Sequence, residues 1–67
     1  MTEDDARTRI QAAISQFGAH AAPMLDLVIN EVRSDLGRDV ANELIDEFDL
    51  ELAYNIAPTD FLSGGNA

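Results

Sequence analysis

The sequence predicts an all-α fold, a small bundle of three helices. In three stretches, apolar residues recur every three or four positions, as they do on one face of an α-helix. A residue that ends helices follows each stretch, and these residues are Gly18, Gly37 and Pro58. We therefore place the helices at about 3–17, 23–36 and 39–56.

The first helix begins after Thr2, a good N-cap residue whose side chain can accept a hydrogen bond from the first turn. The acids that follow Thr2 suit the positive end of the helix dipole. A narrow apolar stripe runs along this helix, formed by Ala6, Ile10, Ala13, Ile14 and Phe17. We expect the helix to end at Phe17, because Gly18 is a natural stop.

The second helix has a broad apolar face. Pro23 suits its first position, and the apolar face is formed by Met24, Leu25, Val28, Ile29, Val32 and Leu36. Leu27 lies off that face. The breadth of the face, together with Leu27, is consistent with a helix that packs on two sides.

A break is expected at Gly37, because the apolar face jumps by roughly 140° between the second and third helices. Gly37 would end one helix, and Asp39 would be the N-cap of the next. The third helix presents Ala41, Leu44, Ile45, Phe48 and Leu52 on one face. Residues 48–56 also alternate as a strand does, but their composition favours a helix, with a kink near Asp49 as an open alternative.

The chain is short enough to form one domain at most, which we place at 1–62. We expect residues 63–67 to form a disordered tail. Only twenty large apolar residues, Met1 excluded, are present to form the core between three helices. Chains of this size often complete so small a core by oligomerisation. We therefore expect a homodimer, with a monomeric three-helix unit as the alternative.

Charge is distributed unevenly along the chain, whose formal net charge is −9. Residues 1–38 carry six carboxylates and all four arginines, whereas residues 39–67 carry seven carboxylates and no basic residue. Direct nucleic-acid binding and a membrane helix are not expected, because the chain lacks a basic patch and a long apolar run. The acidic N-terminus is unlike a signal peptide, so we expect a soluble, cytoplasmic protein.

Most acidic side chains of the third predicted helix lie on one face of that helix. On a helical wheel, Leu50 and Tyr54 fall in the middle of these acids and are neighbours at i and i+4. An apolar pair ringed by carboxylates is typical of an anchor for a protein partner with a basic surface. The predicted partner-binding residues are Glu43, Asp46, Glu47, Leu50, Glu51 and Tyr54. Alternatively, the helix bends at Asp49 and buries the apolar pair, or the acids serve only solubility.

Residues 43–52 resemble the second helix and the following turn of acyl carrier proteins, which are also small, acidic and helical. That family attaches its phosphopantetheine arm to a serine in an Asp-Ser-Leu motif at the start of this helix. The corresponding positions here are Leu36, Gly37, Arg38 and Asp39, without a serine. The resemblance therefore implies only an acidic helix that docks onto a basic partner.

Few residues here can do catalytic chemistry. The chain has no cysteine, and its single histidine, His20, lies in an alanine-rich connector. The acids at 46–51 lack the glycine of a calcium-binding loop. We expect no enzyme activity, no cofactor and no metal ion.

Three functions compete on these grounds. The first is a small non-enzymatic protein that binds and regulates or inhibits another protein through its acidic helix face. The second is a nucleic-acid mimic that inhibits a DNA-binding complex with its carboxylates. The third is a structural subunit that self-assembles through its helices, with the acidic face keeping the assembly in solution.

Overall fold

The computed structural model describes residues 1–58, which form four α-helices and one 3₁₀ turn. In order, these are α1 (Glu3–Phe17), the 3₁₀ turn (Gly18–His20), α2 (Ala22–Asp35), α3 (Arg38–Glu47) and α4 (Leu50–Tyr54). Helices make up 81% of this part of the chain, which contains no strand, so the all-α prediction is confirmed. The predicted tail at 63–67 and the domain limit at residue 62 lie outside the described residues.

The start and end of α1 are as predicted. Thr2 Oγ1 accepts a hydrogen bond from the Asp5 backbone N–H at 3.1 Å, and the Asp5 carboxylate accepts one from the Thr2 N–H at 3.3 Å. This reciprocal capping box satisfies two of the donors that a helix start leaves unpaired. At the other end, Gly18 has a φ of 55° and a ψ of −122°, and it turns the chain into the 3₁₀ turn.

The predicted break at Gly37 is also confirmed. Pro23 lies in the first turn of α2, and the helix ends at Asp35. Gly37 has a φ of 101° and a ψ of 165°, a conformation that is essentially restricted to glycine. The prediction that Asp39 caps the next helix was wrong: the N-cap is Gly37 itself, and Asp39 lies within the first turn of α3.

The third predicted helix is interrupted at the kink position. The helix α3 ends at Glu47, and Asp49 takes the left-handed conformation, with φ 56° and ψ 40°. Aspartate adopts this conformation more readily than most residues, because its short polar side chain can bond locally. Because of this break, the side chains of α4 point in other directions than they would on a continuation of α3. Leu50 is fully buried as a result, and Leu52 is 83% exposed, so the helical wheel of one continuous helix placed both leucines wrongly.

The helix α2 lies between α1 and α3 and packs against both. The buried core consists of thirteen apolar residues, namely Ala6, Ile10, Ala13, Ala21, Leu25, Val28, Ile29, Val32, Ala41, Leu44, Ile45, Leu50 and Ile56. Four of these are alanines, so each large side chain carries a substantial part of the apolar burial. Phe17 and Met24 were expected in this core but are 40% and 41% exposed.

Candidate protein-binding surfaces

The predicted partner-binding residues fall into three groups in the structure: exposed acids, two packed apolar residues and the ion-paired Glu47. Glu43, Asp46 and Glu51 are exposed, as a docking role requires. Leu50 is fully buried in the core. Tyr54 is partly buried, and its hydroxyl donates a hydrogen bond to the Gly18 carbonyl oxygen at 2.9 Å.

Leu50 and Tyr54 therefore stabilise the fold rather than forming an exposed anchor. Tyr54 ties α4 to the connection between α1 and α2, 36 residues away in sequence. The alternative in which the chain bends at Asp49 and buries the pair describes the structure better. Leu52 is the exposed apolar side chain of α4 instead, and it lies beside Glu51.

Glu47, another predicted partner-binding residue, forms an intramolecular ion pair with Arg7. The Arg7 guanidinium donates through Nε to Oε2 of Glu47 at 2.9 Å and through Nη2 to Oε1 at 3.0 Å, which is a bidentate pair. Hydrogen bonding to Arg7 lowers the pKa of Glu47. The same contact raises the pKa of Arg7, whose guanidinium also pairs with Glu3 at 2.8 Å. The pair holds α1 against the end of α3.

The remaining acids of this region form what we call the acidic surface, comprising Glu43, Asp46, Asp49 and Glu51. All four side chains are exposed, and they come from α3, the turn after it and the start of α4. Within residues 1–58, no arginine pairs with any of them. Their charge is therefore uncompensated by neighbouring side chains in the described part of the protein.

The arginines are occupied elsewhere. Arg9 pairs with Glu31 at 3.2 Å, which joins α1 to α2. Arg33 donates to Asn30 Oδ1 at 3.0 Å and to the Ala57 carbonyl oxygen at 3.4 Å. Arg38 lies 3.7 Å from Asp39 at the start of α3. The fold thus places positive charge mainly on α1 and α2 and leaves the outside of α3 and α4 negative.

A small crevice of about 70 Å³ lies within the acidic surface, between Asn42, Asp46, Asp49, Glu51, Ile45 and Pro58. No group of three or more His, Cys, Asp or Glu side chains in residues 1–58 is arranged to hold a metal ion. The acidic surface is therefore an open array of exposed carboxylates with a shallow crevice between them.

A second surface, which sequence reasoning did not identify, is an apolar groove of about 240 Å³ between α1 and α2. Its lining is mostly apolar and consists of Arg9, Ala12, Ala13, Gln16 and Phe17 from α1, with Met24, Leu27, Val28 and Glu31 from α2. Three large apolar side chains stand exposed along it: Phe17, Met24 and Leu27, of which Leu27 is 60% exposed. The position of Leu27 off the main apolar face was the one signal of this surface in the sequence.

None of the helices in residues 1–58 combines the length and the apolar character that crossing a membrane requires. Comparisons of the chain with protein-family models, curated proteins and solved structures returned no match. The geometry of the two surfaces is therefore the basis for any functional proposal.

Proposed function

We propose that this chain is a small non-enzymatic protein that regulates or inhibits a partner protein by docking its acidic surface onto a basic patch. The observation that carries the proposal is the separation of charge. Three of the four arginines, Arg7, Arg9 and Arg38, pair with acids on α1, α2 and the start of α3. Within residues 1–58, Glu43, Asp46, Asp49 and Glu51 are exposed and form no ion pair with an arginine.

Such a surface suits electrostatic steering of an oppositely charged partner protein. Exposed charges of one sign accelerate the encounter with an oppositely charged partner and disfavour wrong partners. Because residues 39–67 hold no basic side chain, the charge of this region is negative throughout. The partner is therefore expected to present lysine and arginine side chains.

Leu52 supports the proposal by offering an apolar contact beside the acids. It replaces Leu50 in the role of anchor, since it is 83% exposed and follows Glu51 directly. An interface needs apolar burial for affinity, because exposed ion pairs contribute little once salt screens them. An exposed leucine is of no use to pure mimicry of a phosphate backbone, so protein docking is favoured over the nucleic-acid mimic.

The test begins with capture of partners from a lysate of the native cell on the immobilised chain, followed by identification of the bound protein. Affinity for that protein is then measured for the unmodified chain and for the double variant Glu43→Gln, Asp46→Asn. We expect the variant to bind about tenfold more weakly at low salt, since each exposed charge contributes up to about 1 kcal/mol. The difference should shrink at high salt, because the Debye length falls from about 10 Å at 0.1 M to about 3 Å at 1 M.

The matched control is the double variant Asp4→Asn, Asp26→Asn. It removes two negative charges from exposed positions on α1 and α2, outside the acidic surface; Asp26 forms no ion pair within residues 1–58, and Asp4 lies 3.6 Å from Arg7. Equal affinity and equal salt dependence for the unmodified chain and the Glu43/Asp46 variant would refute the proposal. Displacement of the chain by duplex DNA at the same site of the partner would support mimicry instead.

A further inference from the structure

We propose that the apolar groove between α1 and α2 is the interface of a homodimer, in which the α1–α2 hairpins of two copies pack face to face. The groove is floored in part by the small side chains of Ala12 and Ala13, and Leu27, Met24 and Phe17 protrude beside it. A twofold interface requires one surface to be complementary to itself. A hollow and protruding side chains on the same face meet that requirement.

The volume of the groove fits large apolar side chains. An apolar cavity of about 150 Å³ is enough to hold a benzene ring, and the groove measures about 240 Å³. Leu27, 60% exposed on its rim, is the side chain with the most surface to gain by entering the groove of a second copy. Phe17 and Met24 would be covered in the same contact.

The charge distribution favours a second copy of the chain as the occupant of this groove. Each copy carries a net charge of −9, so contact through most faces would bring like charges together. The groove is an exception: among residues 1–58, the only charged residues that line it are Arg9 and Glu31, which have opposite charges and lie 3.2 Å apart. In a twofold arrangement, the same two residues can also face their oppositely charged counterparts across the interface.

Dimerisation through the groove also keeps the acidic surfaces apart. On the α2 wheel, Arg33 lies about 150° from the groove-lining residues. Arg33 bonds the Ala57 carbonyl oxygen, so the segment that follows α4 lies on the side of α2 away from the groove. Two copies joined at the groove therefore present their acidic surfaces outward, where each can still reach a basic partner.

The extent of the surface predicts a weak dimer. A standard interface buries about 800 Å² per partner, which is about a fifth of the accessible surface of 4311 Å². The helices α1 and α2 are about 22 Å long, at 1.5 Å per residue, so their shared face supplies an interface at the small end of the range. We expect a dissociation constant in the micromolar range.

Sedimentation of the full chain tests the proposal, at protein concentrations from about 5 to about 500 μM, which bracket such a dissociation constant. The mass should rise from that of the 7.3 kDa monomer to that of a dimer, and no further. Added salt should strengthen the dimer by screening repulsion between the two acidic chains. Salt should have the opposite effect on partner binding through the acidic surface, so the two proposals can fail separately.

The informative variant is Leu27→Glu, which places a charge in the interface on an exposed helical position where the fold tolerates glutamate. We expect it to raise the dissociation constant at least about tenfold, with an unchanged circular dichroism spectrum. The matched control is Leu52→Glu, the same change at an exposed leucine away from the groove, which should dimerise as the unmodified chain does.

Three outcomes would overturn the proposal. One is a monomer at every concentration and salt level, and another is a Leu27→Glu variant that dimerises as tightly as the unmodified chain. The third is a dimer lost on replacing Phe61 and Leu62 by serine but kept in Leu27→Glu, which would assign self-association to those C-terminal residues.

Discussion

Two leucines in α4, only two positions apart, are predicted to differ sharply in what they contribute to stability. Leu50 is fully buried in the core, whereas Leu52 is 83% exposed. Truncation of a buried leucine to alanine removes its apolar burial and leaves a cavity, at a cost of about 2–5 kcal/mol. The same truncation at Leu52 should change the free energy of unfolding by no more than about 0.5 kcal/mol.

The loss of stability expected for Leu50→Ala is large relative to the total free energy of unfolding. A chain of 67 residues is stabilised by about 3–10 kcal/mol, at 0.05–0.15 kcal/mol per residue. Each 1 kcal/mol shifts the melting temperature of so small a domain by about 4–8 °C, so Leu50→Ala should lower it by at least about 8 °C. Leu50→Val, which removes one methylene, should cost about 1 kcal/mol and keeps the comparison measurable if the alanine variant does not fold.

Urea denaturation followed by circular dichroism measures these differences. All variants are compared at one protein concentration, because self-association makes apparent stability depend on concentration. A Leu52→Ala variant that loses as much stability as Leu50→Ala would refute the reasoning. That result would indicate a continuous third helix with Leu52 in the core, as the helical wheel predicts.

Two further predictions concern the Arg7–Glu47 pair and the two left-handed turn positions. The fold lowers the pKa of Glu47 through its hydrogen bonds to Arg7, so the stabilisation from this pair is present at neutral pH and is lost as the pH falls below about 4. In urea denaturation across that range, Glu47→Gln should be less stable than the unmodified chain at pH 7 and approach it in acid; Glu43→Gln, at an acid without an arginine partner in residues 1–58, is measured beside it as the control. Gly37→Ala should cost about 1–3 kcal/mol from backbone strain alone, since an added Cβ would meet no atom within 4 Å. Asp49→Gly should leave the free energy of unfolding unchanged or raise it by up to about 1 kcal/mol, because glycine adopts the left-handed conformation without steric cost. A loss of stability in Asp49→Gly, or no loss in Gly37→Ala, would contradict the backbone conformations described for these two residues.

Local chemistry made the ends of the first two helices predictable. Thr2 and Asp5 form their capping box within one turn of chain, and Gly37 adopts a conformation that essentially only glycine allows. The division of charge is also a property of residue order, since every arginine precedes residue 39. These features depend on neighbouring residues alone, so no knowledge of packing was needed to find them.

The acidic surface was predicted only in part, because its members depend on contacts between distant segments. Arg7 engages Glu47 across 40 residues of sequence, and a helical wheel of one segment contains no information about that partner. Glu43, Asp46, Glu47 and Glu51 are all exposed, but Glu47 is engaged by Arg7 in an intramolecular ion pair. The apolar groove likewise exists only once α1 and α2 pack side by side.

The order of the residues was enough to predict an all-α chain, the break at Gly37 and the concentration of acids after residue 38. Tertiary structure decided which leucine of α4 is buried. One residue, Asp49, adopts the left-handed conformation, and the side chains of α4 therefore point in other directions relative to α3 than a continuous helix would give them. Aspartate populates that conformation only in some contexts, so its presence permits the turn without requiring it. The turn is stabilised because it places Leu50 in the core and brings Tyr54 within hydrogen-bonding distance of Gly18, contacts that exist only in the folded molecule.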